Sequence, residues 1–294
     1  MECWTSSSEL RKHVIDSLKD LRVAPSKYRG QNFLINPNII EFQINQADIQ
    51  PKDVILEIGG GIGNLSKCLA AKAKKLIIVE QDQRLAKFLE TLLQKFSNVE
   101  IIQGDAVKID FPNFTKCVSN LPYQISSPIT FKLLEYDFEL AVLMYQKEFA
   151  QRFFAKPGTS DYSRISVMVN LNAKCKNLKI VKPTSFYPPP KIYSSIVAIT
   201  KKNEIMVDNY DDFSNFIRLL FMNKKKTIRT ILRNIIKRKE KENLITEREF
   251  LDSLQFMDRR VFTMSLDELI SLYNLIKESI GEESWLNIIS PNIA

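Results

Sequence analysis

Two hydrophobic rhythms run along the chain. Between Val54 and Thr200, short apolar runs alternate with stretches in which apolar positions recur every three or four residues; beyond Asp208 only the second rhythm persists. The first pattern predicts strands joined by helices and the second predicts helices alone. Strands are expected at Val54–Ile58, Leu76–Val79, Val99–Gln103, around Cys117–Ser119, at Leu140–Tyr145, around Leu178–Val181 and at Ser195–Thr200. Intervening helices are expected at Asn64–Lys72, Arg84–Phe96, Phe131–Leu134 and Ser163–Leu171. Upstream, Leu10, Val14, Leu18 and Leu21 mark an amphipathic helix over Ser8–Leu21, and Asn36-Pro37 opens another. Downstream, helices are expected at Tyr210–Met222, Lys225–Lys237, Thr246–Phe256 and Leu266–Glu278. The organisation read from this is a helical extension (1–27), an α/β domain of Rossmann-like type (28–205) and a smaller all-α domain (206–294).

Chemistry gathers at the ends of the strands. Val54–Ile58 runs into Gly59-Gly60-Gly61-Ile62-Gly63, a glycine turn that lets backbone approach a ligand without intervening side chains. Ser66 stands where a dinucleotide fingerprint has its third glycine, which favours a nucleoside ligand lacking a pyrophosphate. Glu80, roughly 20 residues further on, is placed to take ribose hydroxyls. Asp105 can accept from an adenine amino group, and the next strand delivers Asn120 to the same edge. In Asn120-Leu121-Pro122-Tyr123, the Asn120 side-chain oxygen and the Leu121 carbonyl can accept both N–H bonds of an exocyclic amine. That arrangement stabilises positive charge growing on nitrogen during a displacement. Pro122 fixes the backbone, and Tyr123 offers a stacking face for an extruded base.

Composition narrows the classes. Of 294 residues 45% are apolar, and the net charge is +8, which makes a polyanion a plausible partner. The excess is local: Met222 to Lys241 holds nine Lys or Arg against one acidic residue, Glu240. Lys224, Lys225, Lys226, Arg229 and Arg233, with Lys237 and Arg238, are candidates to track phosphates. The four cysteines, Cys3, Cys68, Cys117 and Cys175, have neither zinc spacing nor scaffold density and read as free thiols in a reducing cytosol. No apolar run reaches membrane-span length. The only histidine, His13, reads as a surface imidazole, so neither a histidine-based triad nor a metal centre is expected.

Gln31-Asn32-Phe33-Leu34, the Glu57–Gly63 run, Glu80, Gly104-Asp105-Ala106, Asn120–Tyr123, Gln146-Lys147-Glu148 and Phe186-x-Pro-Pro-Pro-Lys191 occur in the order found in the KsgA family of small-subunit ribosomal RNA adenine dimethyltransferases. The resemblance covers about residues 28–240, and Lys156-Pro157-Gly158 looks most like archaeal members. It implies a class I methyltransferase sheet binding S-adenosyl-L-methionine and dimethylation of N6 on two adjacent adenosines near the 3′ end of small-subunit RNA. The implied partner is an immature small ribosomal subunit, and the implied setting is a cytoplasmic monomer in ribosome biogenesis. The cofactor positions it implies are Gln31, Asn32, Leu34, Glu57, Gly59, Gly61, Glu80, Asp105, Ala106 and Asn120. Gly60, where many relatives carry Pro, is expected to leave the turn looser. The alternatives are a resistance-type methyltransferase of large-subunit RNA, a DNA adenine methyltransferase, and a non-catalytic assembly factor on the same fold.

Overall fold

The computed structural model describes residues 3–22, 32–204, 206–239 and 250–280. Gln31, residues 246–249 of the helix expected at Thr246–Phe256 and the side chains of Lys237 and Arg238 lie outside the described residues, and the described part of that helix ends at Ser253. The chain forms two units, Met1–Ala150 with Ala173–Lys201, and Gln151–Asn172 with Lys202–Ala294. Among the described residues no helix is long and apolar enough to cross a membrane.

The first unit is built on a seven-stranded sheet. Its strands are β2 (Val54–Ile58), β3 (Lys75–Glu80), β4 (Val99–Gln103), β5 (Lys116–Asn120), β6 (Leu140–Gln146), β7 (Ala173–Val181) and β9 (Ser194–Lys201), in the order β4-β3-β2-β5-β6-β9-β7. The five strands from β4 to β6 are parallel, and β9 runs antiparallel to both β6 and β7. Parallel strands covered on both faces are apolar nearly throughout, and Ile55–Ile58 and Leu76–Glu80 are buried without alternation, with Glu57 and Glu80 the polar exceptions. The strand order reverses between β2 and β5, and such a reversal opens a crevice at the carboxyl ends of the strands. At the opposite end Lys116 and Asp53, both buried, form an ion pair at 2.8 Å that holds β5 to the start of β2.

Helices α1 (Ser7–Asp20), α2 (Pro37–Ala47), α3 (Ser66–Ala70), α4 (Gln83–Leu93), α5 (Ser126–Glu135) and α6 (Lys147–Gln151) complete this unit. Asn36 and Asp82 cap α2 and α4 by accepting from backbone N–H groups of Asn38 and Arg84. A two-stranded ribbon joins β1 (Phe33–Leu34) to β8 (Phe186–Tyr187), with Phe33 opposite Tyr187 and Leu34 opposite Phe186. Two motifs far apart in the chain thereby meet.

Three expectations are corrected here. Helix α1 is not an extension outside the α/β domain: Leu10 enters the main core, while Val14 and Leu18 pack with Phe33, Ile62 and Leu85. His13 is not a surface imidazole, since its Nε2 lies 3.1 Å from the Ile62 carbonyl and its ring packs between Trp4 and Phe88. Burial holds its pKa below the usual histidine value. Cys3 and Cys68 are paired as a disulfide with Cα atoms 5.1 Å apart, whereas Cys117 and Cys175 are free. All three follow from α1 folding back over the glycine turn, a long-range contact that local periodicity does not encode.

The second unit gathers α7 (Arg164–Asn172), α8 (Tyr210–Phe221), α9 (Ile228–Lys239) and α10 (Leu266–Ile280). The expected boundary near residue 205 is corrected, because residues 151–172 belong to this unit and the chain enters it twice. Arg164 donates to Ser214 at 3.0 Å, the Gly158 N–H donates to the Phe262 carbonyl at 2.7 Å, and Tyr162 meets Phe221 edge to face. Composition marks only the second entry, since α7 is as apolar as the helices of the sheet domain and β7 follows it without a loop. Strand β7 is accordingly longer than the expected run near Leu178–Val181.

Candidate active site

A cavity of 530 Å³ opens at the carboxyl ends of β2, β3, β4 and β5. Asn32, Leu34, Glu57, Gly59, Gly61, Glu80, Asp105, Ala106, Asn120, Leu121, Pro122 and Tyr123 all line it. Its size falls in the range of small-ligand sites, roughly 300–1,000 Å³.

The floor is the glycine turn. Gly59, Gly61 and Gly63 have φ of +81°, +58° and +79°, backbone that L side chains rarely adopt. The Gly59 N–H donates to the Val79 carbonyl at 2.8 Å, and a Cβ on Gly59 would lie 3.2 Å from Cδ of Pro122. The turn and the Asn120–Tyr123 segment are therefore packed on each other. The expectation of looseness at Gly60 is corrected: a Cβ there would fall 2.6 Å from Ile78 Cγ2 and 2.8 Å from Leu89 Cδ1. Side chains of β3 and α4 already fill that space.

Glu80 ends β3 with both carboxylate oxygens engaged. Oε2 accepts the Gly61 N–H and Oε1 the Asp82 N–H, each at 2.9 Å. Burial pushes its pKa up, and the two backbone donors pull it back in part. The carboxylate is thus aimed by the turn it supports, with lone pairs left for further donors. Asp105 is more open; its Oδ1 accepts the Val107 N–H at 3.0 Å, and Gly104 donates to the Glu80 carbonyl at 3.0 Å, which ties the two strand ends together.

Asn120 is the last residue of β5, opposite Met144 of β6. Its Oδ1 is buried and accepts no hydrogen bond among the described residues. A buried acceptor without a donor costs about 1–3 kcal/mol and is filled in most folded proteins, so an orphan at a cavity wall points to a ligand donor. Pro122 follows with φ −56° and ψ 125°. The Tyr123 hydroxyl is 2.6 Å from Ser194 Oγ at the start of β9, and burial raises the phenol pKa. Phe186 of β8 is buried in the same wall.

Two polar residues that position this edge are absent from the expected set. The Gln43 side chain, fully buried in α2, donates to the Ser119 and Val142 carbonyls at 3.2 and 3.1 Å and so clamps β5 to β6 beside Asn120. Asn64 donates to the Leu34 carbonyl at 2.7 Å and fastens the β1 ribbon to the glycine turn. The one local signal was an amide directly after Gly63; Gln43 simply interrupts an apolar helix face.

Glu57 lies beneath the turn, fully buried, with Oε2 lacking a hydrogen-bond partner. Burial lifts its pKa to about 8, Ser66 offsets this in part and the Glu80 charge adds to it. A carboxyl whose folded pKa exceeds its unfolded value near 4.5 stabilises the fold below that value and loses this contribution as pH rises through 8. Urea titrations should therefore show stability falling by a few kcal/mol from Glu57 between those limits. Glu57→Gln should flatten that slope; an undiminished slope in the variant would reassign it to another group.

In the second unit the basic segment is only partly open. Lys224 donates to the Ser160 and Tyr162 carbonyls at 2.7 and 2.6 Å, and burial, with Arg152 nearby, holds its pKa down. Arg229 is paired with Asp252 and Asp258. Lys225, Lys226 and Arg233 are exposed. Of the expected phosphate track, Lys224 and Arg229 are thus engaged by groups of their own unit.

Known proteins are similar to the chain over most of its length. Residues 25–274 match the ribosomal RNA adenine dimethylase family. The chain is 44% identical over 268 residues to the probable ribosomal RNA small subunit methyltransferase A of Methanococcus aeolicus, covering 86% of this chain and 98% of that one. It is similar to the crystal structure of a dimethyladenosine transferase from Plasmodium falciparum, 33% identical with a TM-score of 0.73, over 84% of this chain and 98% of that one. The 23S rRNA methyltransferase ErmE is further away, 26% identical with a TM-score of 0.60 over 84% of this chain and 100% of that one. With a crevice of class I methyltransferase topology and a family match over most of its length, this chain belongs to the ribosomal RNA adenine dimethylases.

Proposed function

We propose that the protein transfers methyl groups from S-adenosyl-L-methionine to N6 of two adjacent adenosines near the 3′ end of small-subunit ribosomal RNA, acting as a cytoplasmic monomer on immature subunits. The observation that carries this reading is the orphaned Asn120 Oδ1 in a cavity it shares with Glu80 and Asp105. Those residues fit the donor: Glu80 would take its ribose hydroxyls, Asp105 its adenine amine, and the backbone at Gly59 and Gly61 its close approach. When bound, the donor supplies a methyl group activated on a sulfonium. The chain's own part is to hold N6 in line, with Asn120 Oδ1 and the Leu121 carbonyl accepting hydrogen bonds from its two N–H groups while positive charge develops. Pro122 keeps that carbonyl fixed, and Tyr123, anchored through Ser194, faces the base. Once methylated, N6 loses a proton to water, so no side-chain base is required.

Methyl transfer to unmethylated small ribosomal subunits, with large subunits and DNA in parallel and the modified bases mapped, tests this directly. Incorporation confined to two adjacent adenosines of the small subunit is expected. Incorporation into large subunits instead would favour the ErmE-like alternative. Within the second unit, Lys225→Ala and Lys226→Ala should each lower the salt slope of subunit binding by about 0.7–0.9. Lys224→Ala should instead lower the melting temperature, because two carbonyls lose their donor.

A further inference from the structure

We infer that Tyr193, flanked by Lys147 and Lys182, is a stacking platform for an unpaired RNA base adjoining the target adenosine; this rests on the RNA-methylating reading above. The three residues leave three hydrogen-bonded strands at one rim. Gln146 of β6 pairs with Ser194 of β9, and Ser194 pairs with Val181 of β7. Lys147, Tyr193 and Lys182 lie one step beyond these, so Tyr193 stands in register between two lysines. Tyr193 is 46% exposed although it is a large aromatic beside a well-packed sheet. Its carbonyl accepts the Lys147 N–H at 2.9 Å, and Lys147 Nζ stands 5.9 Å from its ring centroid. Lys182 and Lys191 are exposed nearby in sequence.

The location ties this platform to the reaction. Ser194, the next residue, holds the Tyr123 hydroxyl at 2.6 Å, so the backbone that carries Tyr193 is anchored to the segment that would receive the flipped adenosine. Pro188, Pro189 and Pro190 restrict the loop that carries it, so little ordering entropy opposes a ligand there. An exposed aromatic face among cations suits a nucleobase with its phosphates, since stacking tolerates any base and ammonium groups take the backbone charge. The alternative role is a tyrosine that merely covers the Lys147 stem, in which case RNA binding is indifferent to it.

Two measurements decide between these. Binding of a labelled, adenosine-rich single-stranded oligoribonucleotide should weaken about tenfold in Tyr193→Ala and be retained in Tyr193→Phe and Tyr193→Trp, because stacking needs the ring and not the hydroxyl. In methyl transfer to small subunits, the loss in Tyr193→Ala should fall on KM for RNA rather than on kcat. Equal binding by wild type and Tyr193→Ala, or an equal loss in Tyr193→Phe, overturns the platform. If the wild-type protein methylates no small subunit, the functional reading fails on its own account, and the oligonucleotide comparison still decides the platform.

Discussion

Asn120→Ala should lower kcat for methyl transfer by about 10²–10³ while leaving the fold at least as stable as before, a combination that an ordinary strand-end asparagine would not give. The catalytic loss follows from removing one of two acceptors aimed at the attacking amine, at the point where charge grows. The stability half follows from the empty acceptor: Oδ1 is buried and receives no hydrogen bond among the described residues. Deleting it removes a desolvated group that the fold itself does not satisfy, worth about 1 kcal/mol. Single-turnover transfer and thermal unfolding on the same preparations check both halves. A variant that unfolds early would show Asn120 to be a structural residue, and one that transfers at the wild-type rate would remove it from the chemistry.

Glu80→Ala should raise the Kd for S-adenosyl-L-methionine by about 100-fold, since hydrogen bonds to a charged group contribute about 1.5–3 kcal/mol each. The loss has two sources. Ribose hydroxyls lose their acceptor, and the Gly61 and Asp82 N–H groups lose the carboxylate that orients them, so the glycine turn itself is released. Glu80→Gln separates the two. It keeps the side chain's shape and one acceptor for the turn, so about tenfold weakening is expected from the lost charge. Titration calorimetry with the donor reads both variants. Equal affinity across wild type, Gln and Ala would mean that the ribose lies elsewhere.

How far the chain could be read in advance depended on whether a feature is local. β2 and β4 begin and end where the apolar runs do, because turn-forming residues bound both runs, Asp53 and Gly59 for one, Asn98 and Gly104 for the other. α2 starts at Asn36-Pro37, where a capping side chain and a fixed φ mark a helix entry. His13, Cys3 and residues 151–172 were misplaced for the opposite reason, since each is settled by what folds against it. The basic segment shows the same limit at the level of charge. Nine cations within twenty residues look alike in the chain, yet Arg229 faces Asp252 and Asp258 while Lys224 turns inward to two carbonyls.

By itself the order of residues determined the type of fold, the glycine turn and which polar groups stand at strand ends, because strand length, turn chemistry and the two-residue and 3.6-residue periods are properties of neighbouring positions. Tertiary structure alone decided that Asn120 keeps an unfilled acceptor, that Gln43 and Asn64 clamp the edge beside it, and that Tyr193 stands exposed in register between Lys147 and Lys182. Those outcomes depend on which donors, acceptors and apolar faces reach one another across tens of residues. That selection is made by packing, since a buried polar atom is satisfied or orphaned only once its surroundings are closed.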